Sequence, residues 1–211
     1  MPQIDPLIFV DVLGIIAFAI SGFLVGTRNN LDILGVVIAA SLTALGGGIV
    51  RDTILSVTPF AFKTLYPATA LFVVIFLAFL FRIHRFDSIE KRWMFVISDT
   101  IGLVAFSTTG ALLALHVGYN FFGVIILSFI TAMGGGVIRD ILINQVPAVL
   151  ISDFYGSISV IVSILLLLLH VSSFLNQTTI ILVAIFSIAL RLVAYKYKWH
   201  LPKIETNYCH L

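Results

Sequence analysis

Seven apolar stretches alternate with short polar breaks along the chain. They run over about 7–26, 33–57, 65–82, 93–115, 120–143, 147–169 and 178–196. The breaks carry Thr27-Arg28-Asn29-Asn30, Pro59 to Thr64, Arg82 to Arg92, His116 to Asn120, Asn144 to Pro147 and His170 to Gln177. None of them is long enough to hold a soluble domain. Continuous apolar runs of about 20 residues have the length to cross hydrocarbon as helices, whereas the strands of a membrane barrel alternate over about ten residues. The pattern predicts an all-α membrane protein of seven transmembrane helices, built as a single transmembrane domain over 1–211.

Composition narrows this further. Hydrophobic residues make up 60% of the chain and charged residues 10%, where a soluble domain carries about a quarter charged. The mean hydropathy is +1.15. A soluble fold of this size has too little interior to hide so much apolar surface. A net charge of +2 is too small to point to nucleic acid. The single cysteine, Cys209, excludes a disulfide framework. His84, His116, His170, His200 and His210 are scattered without metal-ligand spacing. No Walker loop, nucleophile elbow or other catalytic motif is present, so neither an enzyme nor a cofactor or metal site is expected.

The first segment lacks the basic start of a signal peptide and carries Asp5 and Asp11 instead, so it reads as a retained helix. Seven spans put Arg28, Arg82, Arg85, Lys91, Arg92, Lys196, Lys198 and Lys203 on one side and Lys63 alone on the other. The basic side is expected to be cytoplasmic, with the N-terminus outside and the C-terminus inside. These basic clusters also suit contact with anionic membrane lipid.

The chain repeats itself at an offset of 88 residues. Asp11-x-x-Gly14-x-x-Ala17-Phe18-x-x-Ser21-Gly22 matches Asp99-x-x-Gly102-x-x-Ala105-Phe106-x-x-Thr109-Gly110. Thr43-Ala44-Leu45-Gly46-Gly47-Gly48-Ile49-Val50-Arg51-Asp52 matches Thr131-Ala132-Met133-Gly134-Gly135-Gly136-Val137-Ile138-Arg139-Asp140, and Pro59 matches Pro147. Between 11–59 and 99–147, seventeen of 49 positions are identical without a gap. Repeat 1 covers about 7–82 and repeat 2 about 93–170, each with three spans; helix 7, about 178–196, is an addition. An odd number of spans per repeat makes the second copy enter from the opposite side, an inverted repeat of the kind that builds pathways open to both sides. The plainer alternative is that duplication only enlarged a bundle.

Within each copy, three groups of residues carry candidate chemistry. The triplets Gly46, Gly47, Gly48 and Gly134, Gly135, Gly136 sit deep in spans 2 and 5. They serve close helix contact, a kink that turns carbonyls toward a cavity, or both together. Arg51, Asp52, Arg139 and Asp140 follow about one turn later, where charge is costly unless paired or hydrated. Neighbouring residues on a helix point about 100° apart. Asp11 at the depth of Arg51, and Asp99 at the depth of Arg139, therefore look like better partners than Asp52 and Asp140. The alternatives are local Arg-Asp pairs or charges that reach the headgroups. The four aspartates against two arginines leave two net negatives, which would favour cations in a hydrated path. Ser21, Thr43, Thr109 and Thr131 occupy matched positions and either line such a path or bond back to their own helices.

The doubled Gly-Gly-Gly-x-x-Arg-Asp, at Gly46–Asp52 and Gly134–Asp140, resembles the prokaryotic branch of the trimeric intracellular cation (TRIC) channel family. Bacterial members of that family carry a "glycine transporter" domain label once per repeat. The resemblance covers nearly the whole chain. It implies a homotrimer with a pore in each protomer, running between the repeats past glycine-bent helices 2 and 5. The residues that match the family motif are Gly46, Gly47, Gly48, Arg51 and Asp52, and Gly134, Gly135, Gly136, Arg139 and Asp140. The span holding Asp99 has no Lys or Arg after Arg92, unlike the basic lipid-binding helix of the animal members. The function expected is a monovalent cation channel, permeable to K+, in a cell inner membrane. A secondary transporter of a small neutral solute such as glycine is the alternative.

Overall fold

The computed structural model describes residues 6–83, 88–151 and 154–199, and among them every regular element is a helix. In chain order these are α1 (Pro6–Arg28), α2 (Ile33–Ile54), α3 (Phe60–Lys63), α4 (Tyr66–Leu80), α5 (Ser88–Val117), α6 (Phe121–Leu142), α7 (Ala148–Ile151), α8 (Tyr155–Val171) and α9 (Gln177–Lys196). Five of them, α1, α2, α5, α6 and α9, are long and apolar enough to cross a membrane; α4 and α8 are shorter apolar helices. Asp5, His84, Arg85, His200, Lys203, Cys209 and His210 lie outside the described residues.

The sequence-matched segments begin and end alike. The side chains of Asp32 and Asn120 cap α2 and α6 by accepting from the backbone N–H of Gly35 and Gly123, at 2.6 and 2.9 Å, which satisfies a donor that the first turn would otherwise leave unpaired. At the other end, Ser56 and Asn144 both take left-handed backbone at φ 56°. The next N–H then turns back, Val57 to the carbonyl of Asp52 at 3.0 Å and Gln145 to that of Asp140 at 2.8 Å. This closure occupies carbonyls that the last turn leaves free.

These terminations correct the expected boundaries. Span 33–57 stops at Ile54. The break after Pro59 contains a helical turn, α3. Its counterpart α7 divides the span expected over 147–169, so the long helix there begins only at Tyr155. In the other direction α5 runs from Ser88 through Arg92, a residue read from the sequence as connection. The only polar sign in the sequence between α7 and α8 is Ser152-Asp153, too brief to split the apolar run in a hydropathy reading.

α1 packs on α5 and α2, α2 on α6, and α5 on α6, with α4 against α1 and with α8 and α9 along α5. The contacts across the centre are reciprocal between the two copies. A side-chain carbon placed on Gly14 would meet the Phe106 ring, and one on Gly102 would meet the Phe18 ring; the two rings lie 5.3 Å apart. A carbon on Gly47 would land on the Thr131 carbonyl, and one on Gly135 on the Thr43 carbonyl. Exchange of this kind, where residue i meets j and j meets i, is the mark of a local twofold relation. Phe72, Val73, Phe76 and Leu80 of α4 and Ile181, Leu182, Ile185 and Phe186 of α9 form exposed apolar faces.

The helices run through both glycine triplets without a break. The glycines let the backbones of α2 and α6 touch. Overpacking a well-filled site costs roughly 1–3 kcal/mol. Gly47→Ala and Gly135→Ala should each lower the melting temperature of the purified protein. Gly136→Ala should lower it less, because its new carbon meets no backbone and finds nothing nearer than Arg139 Nη2 at 3.7 Å. Equal effects at all three positions would contradict this packing.

Candidate functional site

Asp11, Arg51, Asp52, Asp99, Arg139 and Asp140 are all buried. They form two clusters, one per copy. In the first, Arg51 from α2 is 2% exposed and its guanidinium is held on three sides. Nη1 stands 3.1 Å from Asp11 Oδ1 on α1 and 3.2 Å from Thr109 Oγ1 on α5, and Nε stands 2.8 Å from Asp52 Oδ1. The second oxygen of Asp52 accepts from the Phe60 N–H at 2.8 Å, which ties α3 to α2. The Phe60 ring lies under the guanidinium, 5.3 Å from Cζ to the ring centre, and fills the space beside Gly48.

In the second cluster, Arg139 of α6 meets Asp140 at 2.8 Å through Nε and at 2.7 Å through Nη2. Asp140 Oδ2 accepts from the Ala148 N–H at 3.0 Å and ties down α7. Asp99 accepts from Ser21 Oγ of α1 at 3.1 Å. Each cluster thus borrows a hydroxyl from the other copy, Thr109 for the first and Ser21 for the second. Tyr155 of α8 and the charges of Arg139 and Arg191 lie close enough to act on Asp99. The Arg191 guanidinium, from α9, sits 4.9 Å over the Tyr155 ring.

The expected pairing is therefore present in one cluster and altered in the other. Arg51 bonds Asp11, but no hydrogen bond or ion pair joins Arg139 to Asp99 among the described residues. Both arginines also bond the aspartate that follows them, against the expectation from helical spacing. The reason is reach: an arginine side chain is long enough to bend over the next residue, so the 100° between Cβ directions does not limit its tip. Of the four matched hydroxyls, Thr43 and Thr131 bond back to the carbonyls of Ala39 and Leu127, both at 2.6 Å, while Ser21 and Thr109 bind the charges.

Three participants went unnoticed in the sequence. Tyr155 and Arg191 lie outside the aligned part of the repeat, and Phe60 lies one residue past it. Arg191 had a visible signal, as the only charged residue within the last apolar run before Lys196. It changes the charge count. By formal charge the first cluster, with Asp11, Asp52 and Arg51, carries one net negative, and the second, with Asp99, Asp140, Arg139 and Arg191, is neutral. The sum is one net negative rather than the two expected.

Between the clusters the triplets close the α2–α6 contact. A carbon on Gly46 would stand 3.1 Å from Gly135 Cα, and one on Gly134 would stand 3.2 Å from Gly47 Cα. A small cavity of about 10 Å³ adjoins the second cluster, lined by Met133, Gly136, Arg139, Asp140, Ala148 and Tyr155 among others. Among the described residues no group of three or more His, Cys, Asp or Glu is placed to hold a metal ion.

Removing one partner of a buried ion pair leaves a stranded charge and typically costs about 3–5 kcal/mol. Arg51→Ala should accordingly depress the melting temperature more than Arg51→Ala combined with Asp11→Asn. The corresponding cycle of Arg139→Ala with Asp99→Asn should show a weaker coupling, since no direct bond joins that pair. Coupling of equal size in the two cycles would show that the clusters are held in the same way.

The family model described as "Glycine transporter" matches twice, over residues 8–82 and 96–171. The UPF0126 membrane protein YvgT of Bacillus subtilis is 33% identical over 92% of this chain and 94% of its own length. A UPF0126 membrane protein of Deinococcus radiodurans is 38% identical over 67% of this chain and 65% of its own length. Among solved structures, one described as the basis for conductance through TRIC cation channels superposes with a TM-score of 0.82. It is 36% identical and covers 95% of this chain and 98% of its own. A prokaryotic TRIC channel crystallised in 0.5 M KCl gives the same TM-score at 33% identity, covering 92% and 98%.

Proposed function

Because the chain belongs to the TRIC channel family, we propose that it conducts monovalent cations, K+ among them, through a pathway inside each protomer between the two copies. The observation that carries this reading is the pair of buried arginine–aspartate clusters on either side of the glycine crossing. Charged groups buried within apolar spans are costly to hold there and mark ion and substrate paths. The solved relatives are cation channels by their descriptions. The site residues of the pathway are Asp11, Arg51 and Asp52 at one end and Asp99, Arg139 and Asp140 at the other, with Ser21 and Thr109 supplying oxygen dipoles. The triplets Gly46–Gly48 and Gly134–Gly136 form its narrowest part. The backbone contact at the triplets is the closed form of that path, and conduction requires α2 and α6 to separate there.

The membrane arrangement belongs to the same proposal. α1, α2, α4, α5, α6, α8 and α9 are the seven spans. Repeat 1 holds the first three and repeat 2, inverted, the next three. Two contacts support this order. Gln145 bonds Asn29 at 2.5 Å, which puts the α1–α2 and α6–α7 connections at one end. Arg92 donates to the Tyr195 hydroxyl at 2.6 Å, which pairs the start of α5 with the end of α9. In the proposed order four spans lie between each pair of joined ends, an even number, which satisfies both. Charge then assigns that end, with Arg28, Arg82, Arg92 and Lys196, to the cytoplasm of an inner membrane. The protomers assemble as a homotrimer, as the TRIC name describes for the relatives.

Purified protein in a planar bilayer should give single-channel steps in KCl, and under a KCl gradient the current should reverse near the K+ equilibrium potential. Bi-ionic reversal potentials would then rank K+ against other monovalent cations. The label on the matching family model favours a second reading, transport of glycine. Saturable uptake of labelled glycine into liposomes without any channel steps would replace the first reading by the second.

A further inference from the structure

The two clusters follow the same plan except at one matched position. Phe60 and Ala148 are 88 residues apart, and each donates its N–H to the second oxygen of the aspartate that follows the arginine. In the first cluster the Phe60 ring fills the space beside Gly48 and covers Arg51. In the second the ring is replaced by a methyl group. The space beside Gly136 is open, with Arg139 Nη2 the nearest atom at 3.7 Å, and the small cavity lies there. Arg51 spreads its donors over Asp11, Asp52 and Thr109. Arg139 is only 3% exposed, and its Nη1 is buried without a hydrogen-bond partner among the described residues.

We propose that the space left by Ala148 is a binding site for one ordered water, which accepts from Arg139 Nη1 and sits within reach of Asp140 and Tyr155. Three facts select water. A volume of about 10 Å³ is about the smallest that holds a single water, too small for a phosphate or carboxylate, and a buried water needs two to four polar partners. Three of the lining residues, Arg139, Asp140 and Tyr155, carry polar groups. The cluster is formally neutral once Arg191 is counted, so it holds no surplus charge for an ion to balance. An unpaired guanidinium N–H in a low-dielectric interior is costly, and one water removes that cost. The second cluster is thereby a hydrated site and the first, sealed by Phe60, a dry one. This inference stands whether the chain conducts cations or carries glycine.

Met133 provides the reporter, because it lines the cavity while being only 3% exposed. Hydroxyl radicals made by a brief X-ray pulse label side chains beside bound water, and methionine is among the most reactive. The protein in lipid nanodiscs should show Met133 oxidised well beyond what its burial allows, with half-buried Met94 as the internal reference. Ala148→Phe, which copies the first cluster, should reduce Met133 labelling severalfold and leave Met94 unchanged. Should Ala148→Phe fail to fold, Gly136→Ala narrows the same space with less intrusion and should lower the labelling in the same direction. A Met133 that stays unlabelled in the wild-type protein, or that is labelled equally in a folded cavity-filling variant, overturns the proposal.

Discussion

Two helix backbones in direct contact set the frame of this molecule. Where Gly47 meets the Thr131 carbonyl and Gly135 meets the Thr43 carbonyl, no side chain stands between α2 and α6. That spacing fixes the depth at which the arginines one turn further on are held. Arg51 reaches α1 and α5 only because α2 is held close, and its guanidinium then bridges elements from both copies. In apolar surroundings there is little hydrophobic gain in bringing helices together, so close backbone packing and buried polar bonds must supply the association. Here the two are coupled: the glycines bring the charges into range, and the charges give the glycine contact its register.

The exchange of hydroxyls strengthens this coupling. Thr109 serves the arginine of the first copy, and Ser21 serves the aspartate of the second. Each copy is incomplete without its counterpart, so neither half has an independently satisfied polar core. The two clusters nonetheless differ in how tightly they are closed. The first is held by side chains of α1, α2, α3 and α5, while the second also recruits Tyr155 and Arg191 from α8 and α9. The added last helix thus balances a buried charge as well as covering apolar surface.

Much of this was legible in the sequence because duplication writes the same constraint twice. The offset of 88 located the triplets, the buried charges and the matched hydroxyls, and equal depth along the spans selected Asp11 as a partner of Arg51. What it missed has physical causes. Depth arguments place Cα positions and say nothing about a long side chain's tip, so the bonds of Arg51 to Asp52 and of Arg139 to Asp140 were discounted. Symmetry reasoning gives equal roles to matched residues, yet Arg139 does not bond Asp99. Groups from outside the aligned region, Tyr155 and Arg191, surround that aspartate. Hydropathy saw α7 and α8 as one run, because Ser152-Asp153 between them is too brief a polar mark to split it.

The length of α4 has its own consequence. Its 15 residues rise only about 22 Å, against a hydrocarbon layer of roughly 30 Å. With Phe72, Phe76 and Leu80 on its exposed face, the helix cannot tilt its way out of the mismatch, since tilt shortens its reach. In the proposed seven-span arrangement the surrounding lipid thins locally beside α4, at a cost of a fraction of a kcal/mol per Å. Bilayer thickness is therefore itself a load on this side of the molecule. Shorter acyl chains would relieve it, and burial of α4 against another protein surface would remove it.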